Sequence, residues 1–142
     1  MKHRLTALFL ALLATSAAAA DVNRGDLYAS CIKYQNAKWK EGFGGTLSYL
    51  TASQREELAP LHFEVIRQEC NCTVTAAFSS LSASTIDAYN SALEKNGDGI
   101  VLGTDEAAQE FKEAGMMDKN ITCTEKSLES SEYSKKLAEL SK

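Results

Sequence analysis

The sequence predicts an all-α fold, a small irregular bundle of five to six helices held together by two disulfides. Apolar residues recur every three or four positions through most of the chain, which is the pattern of helices with a buried face, and no segment is a convincing strand. The chain has four cysteines and one proline, Pro60. An even number of cysteines in an exported protein indicates disulfides rather than free thiols.

The start of the chain has the parts of a secretory signal peptide. A short basic segment, residues 2–4, precedes an apolar run over residues 5–13, which is too short to span a bilayer. Ala18 and Ala20 then satisfy the small-residue rule for cleavage, so we expect residues 1–20 to be removed and residues 21–142 to form a single domain. The product should be periplasmic or secreted, and soluble, with no membrane span in the mature chain.

The mature chain is acidic. Removing the leader takes away Lys2 and Arg4, which lowers the 15 basic residues to 13 against 19 acidic ones and leaves a net charge of about −6. Nucleic acids and anionic lipids both need a basic protein surface, so we expect neither as a partner. His62 is the one histidine that remains, and this restricts imidazole chemistry.

The cysteines predict how the helices are tied together. Cys31, Cys70, Cys72 and Cys123 all remain after cleavage. A bridge between Cys70 and Cys72 is disfavoured, because side chains two positions apart on a helix diverge by about 200°. Each of the two can instead bind a different neighbour, so we expect a central helix tied on both sides. Two pairings stay open: Cys31–Cys70 with Cys72–Cys123, or Cys31–Cys72 with Cys70–Cys123.

The first half of the chain predicts three helices. An amphipathic segment over residues 23–40 gives the first, and Gly42 should end it, at the start of a glycine-rich connector. Ser53 and Glu56 have the spacing of a capping box, which opens a short helix that stops before Pro60.

A long central helix follows over residues 60–80. It carries two apolar stripes, so it should contact two neighbours. One stripe contains Leu61, Val65 and Cys72, and the other contains Phe63, Ile66, Cys70, Val74, Ala77 and Leu81.

Two shorter helices come next. The first begins at Ser82 or Ser84 and stops near Gly97, and the second begins at Thr104 and ends at Gly115. Their predicted buried residues are Ile86, Tyr89 and Leu93 in the first, and Ala107, Phe111 and Ala114 in the second. Cys123 should then lie in a connector, ahead of a last helix over residues 127–140 that buries Tyr133, Leu137 and Leu140.

The segment between these shorter helices contains the best local motif for a cofactor. Glu94, Asn96, Asp98 and Asp105 fall on ligand positions one, three, five and twelve of an EF-hand calcium loop, with Gly99 on the turn position. The resemblance covers these twelve residues alone, and it implies a candidate calcium site. It departs from the pattern because the first ligand is glutamate, the last is aspartate, and Leu102 replaces the ligand at position nine. The alternative is a helix-ending turn, since asparagine and glycine tolerate the left-handed backbone.

Trp39 and Phe43 flank the glycine-rich connector and are weak candidates for binding a partner, since aromatic side chains anchor interfaces. Core packing is the alternative for both. No nucleophile and base accompany His62, so we expect a protein that is not an enzyme and has no bound cofactor.

The functional prediction is therefore an exported binding or interaction protein of the cell envelope with a protein partner. An inhibitor or immunity protein against an envelope enzyme is one concrete form, by analogy with other small, acidic, rigid domains. The alternatives are a carrier that holds a small apolar ligand between its helices and a calcium-binding module at residues 94–105.

Overall fold

The computed structural model describes residues 22–95, 97, 99–129 and 131–142, and of residues 43–46 it describes the backbone alone. These residues form six α-helices and no strand, which confirms the predicted all-α bundle with two disulfides. In chain order the helices are α1 (Arg24–Thr46), α2 (Ala52–Ser80), α3 (Ala83–Lys95), α4 (Asp105–Glu113), α5 (Met116–Glu129) and α6 (Glu132–Leu140). The expected signal peptide, residues 1–20, lies outside the described residues, and its removal stays a prediction.

Helix α1 begins with a capping box. The Asn23 side chain accepts a hydrogen bond from the Asp26 N–H, and the Asp26 carboxylate accepts one from the Asn23 N–H. The prediction that Gly42 ends this helix was wrong, because α1 continues to Thr46. A glycine inside a helix costs about 1 kcal/mol, which weakens a helix without stopping it. Leu47, directly after α1, is buried and anchors the end of the helix in the core.

A second capping box opens α2, two residues before the expected one. Thr51 Oγ1 accepts a hydrogen bond of 3.2 Å from the Gln54 N–H, and Gln54 Oε1 accepts one of 2.8 Å from the Thr51 N–H. Threonine with glutamine satisfies the same exposed N–H groups as serine with glutamate. The prediction that a capping box opens this helix was therefore correct, but its placement at Ser53 and Glu56 was wrong.

Helix α2 runs through Pro60, so the two helices expected on either side of this proline are one. A proline inside a helix removes a hydrogen bond and costs about 3 kcal/mol. Leu58 and Val65, two turns apart on one face, are only 0 % and 3 % exposed and belong to the same core cluster. Pro60 itself is exposed. Burial of the flanking apolar residues offsets the cost of the proline.

Both disulfides meet on α2, which is the central helix and contacts α1, α5 and α6. Cys31–Cys70 ties it to α1 and Cys72–Cys123 ties it to α5, with Cα–Cα distances of 5.7 and 5.6 Å. This confirms that Cys70 and Cys72 bind different neighbours, and it selects one of the two pairings that the sequence left open.

The predicted apolar faces of α2 are mostly buried. The buried members are Val65, Ile66, Cys70, Val74, Ala77 and Leu81. Phe63 was predicted to be among them but is 42 % exposed. In the first half of α2 the buried face carries Leu58 and Val65, and Phe63 lies far from both around the helix, at about 100° per residue.

The next two helices agree well with the sequence patterns. Thr104 caps α4 by accepting a hydrogen bond of 3.2 Å from the Ala107 N–H. Gly115 follows α4 with a φ of 63°, the left-handed conformation in which glycine ends a helix. The predicted inward residues of α3, namely Ile86, Tyr89 and Leu93, are all buried.

Two predictions for the C-terminal region were wrong. Cys123 lies inside α5 rather than in a connector, and the last helix begins at Glu132 rather than at residue 127. Ser131 sets that start, because its Oγ accepts a hydrogen bond of 3.1 Å from the Ser134 N–H and so caps α6. Tyr133 is buried as predicted.

The core consists of two clusters. The first cluster lies among α1 to α5 and contains Leu27, Ile66, Cys70, Tyr89, Phe111 and Met116 among others. The second cluster lies between α2, α6 and the α1–α2 connection and consists of Leu47, Leu50, Leu58, Val65 and Tyr133. Within the part of the chain that the structure describes, no helix has the length and apolar character that crossing a membrane requires.

Candidate interaction surface

Three aromatic rings form a stack where α1, α2 and α6 meet. The Trp39 and His62 rings are stacked, with centroids 4.3 Å apart and planes 15° apart. Tyr133 then meets His62 edge-on, at 4.9 Å and 65°. Trp39 packs against the first core cluster and Tyr133 belongs to the second, so His62 joins the two clusters.

The environment of His62 keeps its imidazole neutral. Burial lowers the pKa of His62 from 6.5 to about 4, because a partly desolvated imidazolium loses hydration. Its Nδ1 is buried and has no hydrogen-bond partner among the residues that the structure describes. The His62 ring packs between the Trp39 and Tyr133 rings.

The stack contains Trp39, one of the two residues predicted to bind a partner. Trp39 is half-buried and its ring is covered by His62. The side chain of Phe43 lies outside the described residues. Partner binding by this pair stays a prediction.

A buried carboxyl group links three helices near the disulfides. Glu69 Oε1 accepts a hydrogen bond of 2.6 Å from Gln35 Nε2 of α1 and one of 2.8 Å from Thr124 Oγ1 of α5. Burial raises the pKa of Glu69, while the Thr124 hydrogen bond acts in the opposite direction. Nearby, burial raises the pKa of Tyr89 to about 12, and Asn120 Nδ2 donates to its hydroxyl at 3.4 Å. These contacts give the region beside Cys70 a fixed polar interior.

The residues of the calcium motif are described in part. Glu94 lies in the last turn of α3, where its carboxylate accepts a hydrogen bond of 3.3 Å from Asn90 Nδ2. Asp105 is the first residue of α4. Asn96 and Asp98 lie outside the described residues. Among those that are described, no three His, Cys, Asp or Glu side chains are placed to hold a metal ion, and calcium binding at residues 94–105 stays a prediction.

Helix α5 presents an apolar pair to solvent. Met117 and Ile121 are one turn apart and are 61 % and 54 % exposed. We call them the α5 pair. The Cys72–Cys123 disulfide fixes this helix against α2, and Lys119 Nζ donates a hydrogen bond of 2.7 Å to Ser80 Oγ. The pair therefore lies on a rigid support.

Sequence reasoning missed the α5 pair because it placed Cys123 in a connector. The signal was present, since Met116, Cys123 and Ser127 recur at helical spacing and are all buried. Helical geometry over residues 116–129 turns Met117 and Ile121 away from that face.

A groove lies between α2 and the start of α6. Its volume is about 230 Å³, and its lining consists of Leu61, Glu64, Val65 and Gln68 of α2 with Ser131 and Glu132. Val65 is buried and Leu61 partly buried, so the floor is apolar, whereas the glutamates are exposed. We call this the α2–α6 groove.

Comparison with family models, with curated proteins and with solved structures gives no match.

Proposed function

We propose that this chain is an exported, non-enzymatic binding protein of the cell envelope, and that its partner is another protein. An inhibitor or immunity protein for an envelope enzyme is the concrete form that we favour. The observation that carries the proposal is the α5 pair, two large apolar side chains exposed side by side on a helix that a disulfide holds in place.

Rigidity supports this use of the surface. Binding is weakened by the entropy lost when an interface becomes ordered, and a support that is already fixed avoids much of that loss. The two disulfides tie α1, α2 and α5 together. Such bridges persist outside the reducing cytoplasm, which agrees with the signal peptide expected over residues 1–20.

Charge narrows the class of partner. The mature chain, with 13 basic residues against 19 acidic ones after Lys2 and Arg4 are removed, is unsuited to nucleic acid or anionic lipid. A protein with a complementary basic surface suits it better, since opposite charge speeds encounter between partners.

The test is quantitative capture from an envelope extract, with the exported protein immobilised and its disulfides intact. Met117→Ser with Ile121→Ser should lower the affinity for the captured partner by roughly tenfold or more, because central apolar contacts dominate interface energy. The matched control is Thr122→Ser with Glu125→Gln, which changes two exposed polar residues of the same helix.

Both double variants should keep the melting temperature of the unmodified protein, since all four positions are exposed. Recovery of no specific partner, or equal capture by the apolar-to-serine variant and the unmodified protein, contradicts the proposal.

A further inference from the structure

The α2–α6 groove combines an apolar floor with an acidic rim. Leu61 and Val65 form the floor, and Glu64 and Glu132 bring carboxylates from two different helices to the rim. Gln68 adds an exposed amide. A ligand that fills this space needs a slender apolar stem and a cationic, hydrogen-bonding end.

We infer that the α2–α6 groove is a binding pocket for an arginine side chain of a partner protein. An arginine stem can lie along apolar surface while its charged end remains at the rim. The guanidinium presents five N–H donors in a planar fork, which suits hydrogen bonding to a carboxylate at the rim. This inference rests on the proposed function, since the partner must be a protein.

Each rim carboxylate already has a cationic neighbour that an incoming guanidinium must displace. Glu64 Oε2 is 3.3 Å from Arg67 Nη1, and Glu132 Oε1 is 2.7 Å from Lys135 Nζ. Both pairs join exposed residues three positions apart on one helix. Such pairs contribute little because water screens them, so exchange of one cation for another at this rim is inexpensive.

The interaction can be measured without knowing the partner. N-acetylarginine methylamide is titrated into the ¹⁵N-labelled exported protein, and the neutral citrulline analogue of the same shape is titrated in parallel. We expect saturable chemical-shift changes confined to residues 61–68 and 131–132 with arginine, and none with citrulline. Equal responses to both probes, or shifts spread over acidic residues everywhere, overturn the inference.

Variants of the rim residues should weaken arginine binding in some cases and tighten it in others. Glu64→Gln and Glu132→Gln should each weaken arginine binding by about threefold to fivefold, as expected for one exposed ion pair. Lys135→Gln removes the competing cation and should tighten binding, a gain that a folding defect cannot produce. Glu113→Gln changes an exposed glutamate of α4 and is the matched control. A rim variant that binds arginine as the control does contradicts the inference.

Capture of the envelope partner and binding of the free arginine probe together distinguish an error in the pocket from an error in the proposed function. If the captured envelope protein binds Glu64→Gln and Glu132→Gln as tightly as the unmodified chain, the pocket is wrong and the binding function stands. If no partner is captured while the free arginine probe still binds the groove specifically, the binding function is wrong and the claim of a partner arginine goes with it.

Discussion

Replacing His62 by phenylalanine isolates the effect of a histidine held neutral between two aromatic rings. The ring size is nearly unchanged, so the stack with Trp39 and Tyr133 should persist. The substitution removes the titrating group and also Nδ1, which is buried and finds no hydrogen-bond partner within the described part of the chain. Stability should therefore rise at neutral pH by about 1 kcal/mol, and its dependence on acid should become weaker.

The sign of the pH effect follows from the direction of the pKa shift. The folded-state pKa of His62 is depressed from 6.5 to about 4, so the unfolded chain takes up a proton first as the pH falls. The free energy of unfolding is thus at its full value above pH 6.5 and is lost progressively as the pH falls towards 4.

The size of the effect is limited by exposure. A difference of one unit between the folded-state and unfolded-state pKa values corresponds to about 1.4 kcal/mol. The shift of His62 from 6.5 to about 4 therefore sets an upper bound of roughly 3.5 kcal/mol. The side chain is only half-buried, and an imidazolium is attracted to the face of Trp39. We therefore expect a loss of about 1–2 kcal/mol between pH 7.5 and pH 4.5 that the variant does not show.

Urea unfolding of both proteins at these two pH values measures the difference. The exported chain should contain one histidine, so its ring protons also report the pKa directly by NMR. Parallel stability losses in the two proteins, or a titration midpoint near the ordinary value of 6.5, would refute the reasoning.

Three further variants probe other contacts. Glu69→Gln should stabilise the protein at pH 8 and much less at pH 4. Burial raises the pKa of the Glu69 carboxyl, so its ionisation costs stability as the pH rises; urea unfolding at both pH values checks this. Glu110 accepts hydrogen bonds from Ser82 and Thr85 at the start of α3, which lowers its pKa. Glu110→Gln should therefore lower the stability at pH 7, and this loss should vanish as acid protonates the native carboxylate; thermal melts from pH 7 to pH 2.5 follow it. Cys72→Ser with Cys123→Ser opens the bridge of sequence separation 51 and should cost about 2–4 kcal/mol. Hydrogen exchange should then speed up in α5 more than in α1, and equal acceleration in both helices would contradict a local role for this bridge.

The helical class and the use of the cysteines could be predicted because both depend on local periodicity. Side chains two positions apart on a helix point in different directions, so Cys70 and Cys72 had to bind different neighbours. The choice between the two pairings could not be made, since it depends on which side of α2 faces α1. That is a property of the packed bundle and not of the segment around the cysteines.

Helix ends were predicted less well where tertiary burial competes with local preference. Gly42 and Pro60 both disfavour a helix, yet α1 and α2 run through them. Leu47 and Leu58 are buried against residues distant in the chain. The free energy of this burial outweighs the local preferences of Gly42 and Pro60. The opposite case is Thr104, where a side-chain cap decides the boundary locally and the prediction was correct.

The two surfaces proposed for binding could not be predicted from the sequence, because they too depend on tertiary structure. The α5 pair is recognisable once Cys123 is known to lie in a helix. The α2–α6 groove brings Glu64 and Glu132 together from segments far apart in the chain. No periodicity reports such a juxtaposition, whereas the contact of α2 with α6 produces it.

The order of the bridges along the chain has a consequence for maturation. Cys31–Cys70 and Cys72–Cys123 close two consecutive rings that share no residue and are joined through Asn71 alone. If Cys70 and Cys72 exchanged partners, the two rings would instead overlap, since both would contain residues 70–72. A helical turn sends Cys70 and Cys72 in different directions, and packing against α1 and α5 then decides which partner each one meets. Oxidation after the bundle has packed therefore yields the native isomer, and oxidation of the unfolded chain yields a mixture.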